Sequence, residues 1–502
     1  RVISTYKFTN EMIQKYLYDR VPDGEKLTLH SQIAEILEEL HEGDKDRVAV
    51  QLARHYDRAK ETDKAIDYSI DIGKRALSLS AHDAAQPHLQ RAIELILDTV
   101  PESTERHKRE LNLQVPLSAA VKITKGWASQ EVIDIYNRAR ELCQLTGDKK
   151  QLAPILFGLW AVQLVYLKLD NASEIAQECL ALGKELGDDD ILFQAYLATG
   201  NTYFWIGDQQ RCYEMIQHSS ELYNPEKHES HLESYGYDPR VLGLMFLLLS
   251  SGILGRIEEA KEFQEKIKNL VDELQHPFST AIALQGVAWH QYHLQNVEEV
   301  LTQAGELVEL SETNQFPFYR GVGMLLKGWA IAKQGDITEG LEMSKEGFQK
   351  SITTDGGKLF HSLYSLILAE IHAEAEQWTE GLSVIDKALH VATIHNEKCY
   401  LSLLYQMAAT LIKGQISNLS MATAACRTDA INIAQAQDAV LFEFSIAISQ
   451  ANTLQQLGQT KEATALLETV SAKFALKPEY EYNEEQQSYT YQLNSTNHED
   501  TE

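Results

Sequence analysis

The chain has 502 residues, of which 44% are hydrophobic, and it carries a formal net charge of −28. The hydrophobic share is that of an ordinary globular protein and excludes wholesale disorder. The negative charge repels phosphate backbones, so we expect no nucleic-acid partner. Only 10 prolines and 27 glycines interrupt regular structure, which favours helices over sheet.

Residues 1–43 have a pattern of their own. Residues 6–8 alternate like a short strand, and Thr9 or Asn10 can cap a helix predicted over 11–20. A turn at 21–24 precedes a second helix predicted over 27–40. The apolar residues of this second helix recur at helical spacing and form one face: Leu29, Ile33, Ile36, Leu37 and Leu40.

From residue 44 the chain reads as helix pairs, with first helical pairs over 44–110 and a repeat array over 111–474. About every forty residues a turn residue, often Gly, is followed by a polar stretch and a small residue that opens a helix. Clear copies begin at Gly255, Gly335 and Gly458. Looser copies begin at Asp170, Gly207, Gln295, Glu376 and Leu419. This periodicity predicts an all-α stacked array with a long curved surface for binding.

Small residues recur at two fixed positions of the repeat, where they allow the two helices of a pair to pack closely. The first position lies seven residues before the turn, at Gly200, Ala288, Gly328, Ala369 and Ala451. The second lies five residues after it, at Cys212, Ala260, Gly340, Gly381, Ala424 and Ala463. This pattern resembles the tetratricopeptide repeat, which implies a helix-pair solenoid, or superhelix. The usual period is about 34 residues, so helices or turns here must be longer.

Several phrases resemble a narrower family, the large bacterial multidomain signalling ATPases of the predicted AAA/STAND type. In that family an aromatic-x-aromatic strand runs into a helix at the end of a winged-helix region, as in the phrase Tyr6-Lys7-Phe8-Thr9-Asn10-Glu11-Met12-Ile13-Gln14-Lys15-Tyr16. A His usually stands at the position of Asn10. The match continues at Leu29-His30-Ser31-Gln32-Ile33-Ala34. Repeat-region phrases are Tyr223-Asn224-Pro225-Glu226-Lys227-His228, Tyr235-Gly236-Tyr237-Asp238-Pro239, His276-Pro277-Phe278-Ser279 and Gly328-Trp329-Ala330.

The resemblance covers roughly residues 1–415 and implies that 1–43 is a winged-helix remnant. Members of the family are often fused to a class III adenylate/guanylate cyclase domain or a protein kinase domain. The resemblance therefore implies a regulatory, sensing arm of a larger ATPase or cyclase. Because the chain begins at Arg1 rather than Met, we expect it to be part of a longer polypeptide.

The family's phosphate-binding chemistry has no counterpart in this chain. No G-x-x-x-x-G-K-[ST] loop occurs, and Gly183-Lys184 and Gly357-Lys358 are not followed by Ser or Thr. No G-x-S-x-G elbow presents a nucleophile. We therefore expect no catalytic residue, no cofactor and no enzyme activity in this segment.

The candidate metal ligands are better interpreted as ordinary helix residues. His228 and His231, like His290 and His293, are three residues apart with no third ligand in sight, so we expect no metal site. Residues 188–190 are three aspartates without calcium-loop spacing, and they read as a helix cap. The five cysteines show no C-x-x-C pair and suit a reducing cytoplasm as buried apolar residues.

A binding groove is the remaining functional prediction. In tetratricopeptide repeats the first helix of each pair lines the concave face, and the position after its small residue points into it. A partner protein or peptide is expected there, including the parent protein's own catalytic core. The predicted groove residues are Asn201, Phe204, Leu249, Trp289, Tyr292, Trp329, Glu370 and Asn452. Packing between repeats is the competing interpretation of Trp289 and Trp329.

Two further interpretations stay open at this stage: a standalone adaptor for protein assembly, and a small-ligand-sensing repeat domain of a transcriptional regulator. The apolar runs, such as 241–249, are too short to span a bilayer, and no signal peptide is visible. We expect a cytoplasmic protein with no membrane partner. Residues 475–502 are rich in Glu, Gln, Asn, Ser and Tyr and are predicted to form an acidic disordered tail.

Overall fold

The computed structural model describes residues 11–126, 129–224, 226, 232, 236–353, 357–415, 420–475, 477–483 and 488–493. These residues form 23 α-helices, two short 3₁₀ turns and one two-stranded sheet. The predicted all-α helix-pair solenoid is confirmed. Residues 6–8, where the sequence predicts a strand, lie outside the described residues.

The first half of the array contains eleven helices. They are α1 (Glu11–Arg20), α2 (Asp23–Leu40), α3 (Ala49–Ala59), α4 (Thr62–Ser78), α5 (His82–Thr99), α6 (Thr104–Lys125), α7 (Gln130–Thr146), α8 (Lys149–Val165), α9 (Leu169–Leu186), α10 (Asp189–Ile206) and α11 (Gln209–Glu221). The helix predicted over 11–20 is present as α1. The one predicted over 27–40 is present as α2, but it begins at Asp23, so the second half of the turn predicted at 21–24 is helical.

The second half contains twelve helices and the sheet. They are α12 (Pro239–Ile253), α13 (Ile257–Leu274), α14 (Pro277–His293), α15 (Val297–Asn314), α16 (Pro317–Lys333), α17 (Ile337–Thr353), α18 (His361–Glu374), α19 (Trp378–His395), α20 (Leu401–Gln415), α21 (Ser420–Ala436), α22 (Val440–Gln456), α23 (Thr460–Ser471), β1 (Glu479–Asn483) and β2 (Ser488–Gln492).

From α4 onward the helices form two layers. The even-numbered helices pack against one another and make the inner layer, while the odd-numbered helices cover it from outside. Inner helix α14 is buried almost all round, whereas outer helix α13 buries only Ile257, Ala260, Ile267 and Leu270. The outer helix is therefore amphipathic, with one apolar stripe that faces the inner layer.

The recurring turn residue adopts a left-handed backbone between the inner and outer helix of a pair. Gly255, Gly335 and Gly458 have φ of 77°, 109° and 75°, and Gln295 takes φ 56° in the same place. This conformation is easiest for glycine, which explains the Gly of the repeat phrase. The copy assigned to Asp170 has its left-handed residue at Leu167 instead.

Small residues at the repeat positions bring the helices of a pair into close contact, as predicted. A Cβ on Gly340 would lie 2.6 Å from Ala332 N, and a Cβ on Gly200 would lie 2.6 Å from Ile216 Cδ1. One predicted position is in the wrong register: Ala424 is exposed and its neighbour Thr423 is buried. The turn before α21 at 416–419 lies outside the described residues.

Successive turns of the superhelix touch each other. Ser80 Oγ, after α4, is hydrogen-bonded at 2.8 Å to His276 Nε2, before α14, although the two residues are 196 positions apart. Lys398 N–H, before α20, donates to the carbonyl oxygen of Trp205 on α10 at 3.0 Å. Each contact joins elements that are five helix pairs apart. About five pairs therefore complete one turn of the superhelix, and each turn contacts the next.

The N-terminal helices turn an apolar face outward. On α2, His30 and Ala34 are buried, while Leu29, Ile33 and Ile36 are 43%, 40% and 50% exposed. The exposed apolar residues on α1 are Met12, Ile13, Tyr16, Leu17 and Tyr18. The apolar face predicted for the second helix thus faces away from the repeat array.

The C-terminal segment differs from the expected disordered tail. Strands β1 and β2 pair antiparallel, with Tyr480 opposite Tyr491 and Tyr482 opposite Tyr489. Tyrosines at every second position place their rings on shared faces of the hairpin. Phe444 of α22 packs against Tyr491 at 5.2 Å between ring centroids, which gives the hairpin an apolar surface to cover.

Replacing Gly347 by Ala should destabilise the array, because a Cβ there would lie 2.6 Å from the backbone oxygen of Gly321 on α16. Backbone atoms cannot yield as a flexible side chain can, so we expect the free energy of unfolding to fall by about 1–3 kcal/mol. Urea titration followed by circular dichroism measures the loss. The matched control is Gly305→Ala on α15, where the new Cβ meets open space and should stabilise by up to about 1 kcal/mol. Equal midpoints for both variants would contradict close packing at Gly347.

Glu397, in the loop that contacts Trp205, should make stability depend on pH. Burial raises the pKa of Glu397 from 4.5 to about 7. A raised pKa favours the protonated form in the folded chain, so this contribution is complete below about pH 4.5 and is lost as the pH rises through about 7. Relative to the wild type, Glu397→Gln should gain about 3 kcal/mol in unfolding free energy between pH 4.5 and 8.

Urea titrations at both pH values test this, with Glu309→Gln on the exposed side of α15 as the control. The difference between that control and the wild type should stay constant with pH. A constant difference for Glu397→Gln as well would mean that the carboxyl titrates normally.

Candidate binding site in the concave interior

All eight predicted groove residues lie on inner helices, but most of them are buried rather than displayed on an open surface. Phe204, Leu249, Trp289 and Trp329 are 0% exposed. Tyr292 and Asn201 are buried as well, and Glu370 and Asn452 are partly buried. The close superhelical turn fills its own interior, so the concave face offers no long open channel over these residues.

Three of these residues belong to an aromatic cluster that ties the turns together. Asn201 Oδ1 accepts a hydrogen bond from Trp205 Nε1 at 3.0 Å. Trp289 lies 5.3 Å from Phe360 between ring centroids, and Phe360 also contacts Trp205 at 5.5 Å. The cavity among these rings holds only about 80 Å³. Asn201, Phe204 and Trp289 therefore pack the interior in this structure.

Glu370 joins three inner helices through two hydrogen bonds. Its Oε1 accepts from the hydroxyl of Tyr292 on α14 at 2.6 Å, and its Oε2 accepts from Nε1 of Trp329 on α16 at 2.8 Å. The rings of Tyr292 and Trp329 meet edge to face at 5.1 Å. Burial raises the pKa of Glu370, while the ammonium of Lys333 and the two donors oppose that rise.

A cavity of about 580 Å³ opens beside Glu370 on the concave side of the later repeats. Its wall comes from the ends of α14 and α16, from α18, α20 and α22, and from β2. Tyr292, Glu370 and Asn452 of the predicted groove line it. Other polar lining residues are His293, Lys333, Gln406, Thr410, Ser445 and Ser449. The volume lies in the range of small-ligand and peptide side-chain pockets.

The C-terminal hairpin forms one side of this cavity. The backbone N–H of Tyr489 donates to Asn452 Oδ1 at 2.6 Å, so the amide predicted to grip a partner holds β2 instead in this structure. Tyr489 and Tyr491 both line the cavity. The alternating tyrosines of the sequence already favoured strands here. The prediction of a disordered tail overlooked them because it considered only the amino-acid composition.

Three further cavity residues escaped the sequence analysis. Lys333 is the last residue of inner helix α16, Gln406 lies inside inner helix α20, and Trp378 begins the outer helix α19. No single repeat position unites them. They line one cavity although they belong to three different helices, and a local sequence pattern cannot reveal such proximity.

Of the two histidine pairs considered as metal ligands, the structure describes His290 and His293. Within the described residues no group of three or more His, Cys, Asp or Glu side chains could hold a metal ion. Burial lowers the pKa of His290 to about 4 and that of His293 to about 3, so both imidazoles are neutral. His228 and His231 lie outside the described residues. Asp188 caps α10 by accepting from Asp190 N–H, as predicted.

The five cysteines are unpaired and four of them are buried, as the sequence analysis expected. Among the described helices, none is long and apolar enough to cross a membrane.

Comparison with known proteins gives distant likenesses only. No protein-family model matches the chain. A curated but uncharacterized protein of Rhizobium meliloti (strain 1021) is 22% identical over 441 residues, which are 87% of this chain and 42% of that protein. The chain thus spans less than half the length of the curated relative that it matches.

Solved structures with similar folds are helical-repeat proteins. A Rap protein complexed with competence and sporulation factor aligns with a TM-score of 0.47 and 10% identity, over 82% of this chain and 99% of that one. A signal-transduction ATPase with numerous domains and a tetratricopeptide repeat sensor, from Pyrococcus horikoshii, aligns with a TM-score of 0.41 and 15% identity, over 75% of this chain and 53% of that one.

Proposed function

We propose that this chain is a non-catalytic regulatory scaffold that binds a protein or peptide segment in the concave interior of its later repeats. The observation that carries the proposal is the 580 Å³ cavity, where polar side chains from five inner helices converge. Convergent polar groups in one concave pocket are typical of a binding site. Because the aromatic cluster fills the earlier turn, the partner would insert a short segment rather than lie along the whole array.

We further propose that the scaffold is the sensing arm of a larger ATPase or adenylate cyclase signalling protein. The family phrases in the sequence support this, and so does the apolar face of α1 and α2. Leu29, Ile33 and Ile36 are exposed to an extent that suits packing against another domain. A segment bound in the cavity would then shift the balance between resting and active states of the parent protein.

A small-ligand sensor is the second candidate, since the same volume suits a small molecule. The cavity draws on α14 to α22 and β2, so a ligand there would contact several repeats at once. Ligand binding would stabilise the folded array and raise its melting temperature in proportion to ligand excess over Kd.

Removing residues 111–474 from the longer polypeptide should change its rate of nucleotide turnover. If the arm couples partner binding to the catalytic state, the change lies between about 5- and 150-fold. ATP hydrolysis and cyclic-nucleotide formation are measured for the full and shortened proteins at matched concentrations. An unchanged rate together with unchanged regulation would contradict the sensing-arm proposal.

Filling the cavity should disable the arm without unfolding it. Thr410 lines the cavity and its hydroxyl donates to Gln406 O at 3.1 Å. Thr410→Trp should therefore remove the response of the longer polypeptide to its partner while helicity by circular dichroism is retained. The matched control is Thr393→Trp on α19, whose exposed side chain makes the same type of bond to Leu389 O. A normal response from Thr410→Trp would place the binding surface elsewhere.

A further inference from the structure

The cavity beside Glu370 has an excess of negative charge. Glu370 and Glu374 supply two carboxylates, and Lys333 supplies the single ammonium among the described lining residues. Lys333 Nζ pairs with Glu374, so its charge is already compensated within the wall. One carboxylate charge is left over, and it lies in a setting of low dielectric where electrostatic attraction is strong.

Several buried polar atoms of the wall have no hydrogen-bond partner among the described residues. They are both ring nitrogens of His293, Oε1 of Gln406 and the hydroxyl of Tyr491. His293 and Gln406 are 7% and 8% exposed, so their polar atoms are largely removed from solvent. A buried polar atom without a partner costs stability, which a ligand with matching groups recovers.

Most of these atoms are suited to a donor-rich ligand. The amide group of Gln406 donates through Nε2 to Ser449 Oγ at 2.5 Å. Its oxygen, Oε1, can only accept a hydrogen bond. His293 is neutral because burial lowers its pKa to about 3, so one of its nitrogens carries a lone pair. The hydroxyl of Tyr491 can also accept.

Aromatic rings complete the wall. Tyr292 and Phe442 come from inner helices, Trp378 from α19, and Tyr489 and Tyr491 from β2. Ring faces attract cations, and most strongly where the cation is partly desolvated. An excess carboxylate, unpaired acceptors and aromatic faces all favour the same kind of ligand, whereas an anion would meet only one ammonium that is already paired.

We infer that this cavity binds a cationic amine or guanidinium group, either the Lys or Arg side chain of a partner segment or a free small amine. Glu370 supplies the counter-charge, Gln406 and His293 accept hydrogen bonds from the cation, and the hairpin tyrosines close over it. The inference rests on the proposed function, since it names the chemistry of the segment that the cavity takes.

Isothermal titration calorimetry on the full chain tests the inference with two pairs of probes. The first pair is Nα-acetyl-arginine amide and its uncharged analogue Nα-acetyl-citrulline amide, in which acetylation removes the charge of the α-amino group. The second is the pentapeptide acetyl-Ala-Ala-Arg-Ala-Ala-amide and the same peptide with citrulline in place of arginine. Each arginine probe that binds should do so at least about 10-fold more tightly than its citrulline form, since a lost buried charge interaction has that cost. If each citrulline probe binds as tightly as its arginine counterpart, the site does not require a cation and the inference is overturned.

The two arginine probes distinguish the sources of the cation. Binding of the peptide alone assigns the site to a partner side chain, and equal binding of Nα-acetyl-arginine amide assigns it to a free small molecule with a cationic group. Either result supports a cation site. No binding by any of the four probes at millimolar concentration overturns it, while a loss of regulation in Thr410→Trp would still uphold the proposed function.

Two variants locate the site. Glu370→Gln keeps the size of the side chain and should weaken arginine binding at least about 10-fold. Gln406→Leu leaves Glu370 intact and should weaken it about 5-fold or more through the lost acceptor. Glu309→Gln, on the outer helix α15, is the matched control and should bind normally. Unchanged affinity in both Glu370→Gln and Gln406→Leu, with circular dichroism showing a normal fold, would place the cation elsewhere.

Discussion

The close approach of paired helices at small residues is the constraint on which the rest of the structure depends. At Gly340 and Gly347 no room exists for a Cβ without displacing backbone atoms of α16. Small residues recur at the position of Gly340 in several repeats, so we expect successive pairs to be rotated by similar amounts. The accumulated rotation brings residues such as Ser80 and His276 together five pairs later. Close packing of the paired helices, repeated along the chain, thus gives a narrow superhelix.

A narrow superhelix changes what its inner layer does. Aromatic side chains that would line an open groove in a wider array meet across the axis instead, as Trp205, Trp289 and Phe360 do. Tight packing of large rings excludes water and fixes the turns relative to one another. A cavity of about 580 Å³ remains where the later repeats meet the hairpin, and there the polar side chains of five inner helices collect. Rigidity in one turn and a cavity in the next suit an arm that transmits the presence of a bound segment.

The predicted groove residues fall on the correct helices, yet they play different roles. Tyr292, Glu370 and Asn452 reach the cavity, while Phe204, Leu249, Trp289 and Trp329 are fully buried. Trp329 still touches the site through its hydrogen bond to Glu370. The position of a residue in the repeat predicts whether it lies in the inner or the outer layer, because the layer depends on contacts within one helix pair. The repeat position does not predict whether the side chain packs in the core or binds a partner, because that role depends on contacts between turns.

The sequence by itself determined the all-α class, the presence of the two N-terminal helices, several of the turn residues and several of the small-residue contacts. These depend on periodicity and on steric rules that operate within about forty residues. Only the tertiary structure decided that the array closes after about five pairs, that Lys333 and Gln406 share a cavity, and that the tyrosine hairpin folds back on α22. Those outcomes depend on small rotations summed over many repeats, and on a surface that exists only once distant helices have met. Neither can be predicted from a local sequence pattern.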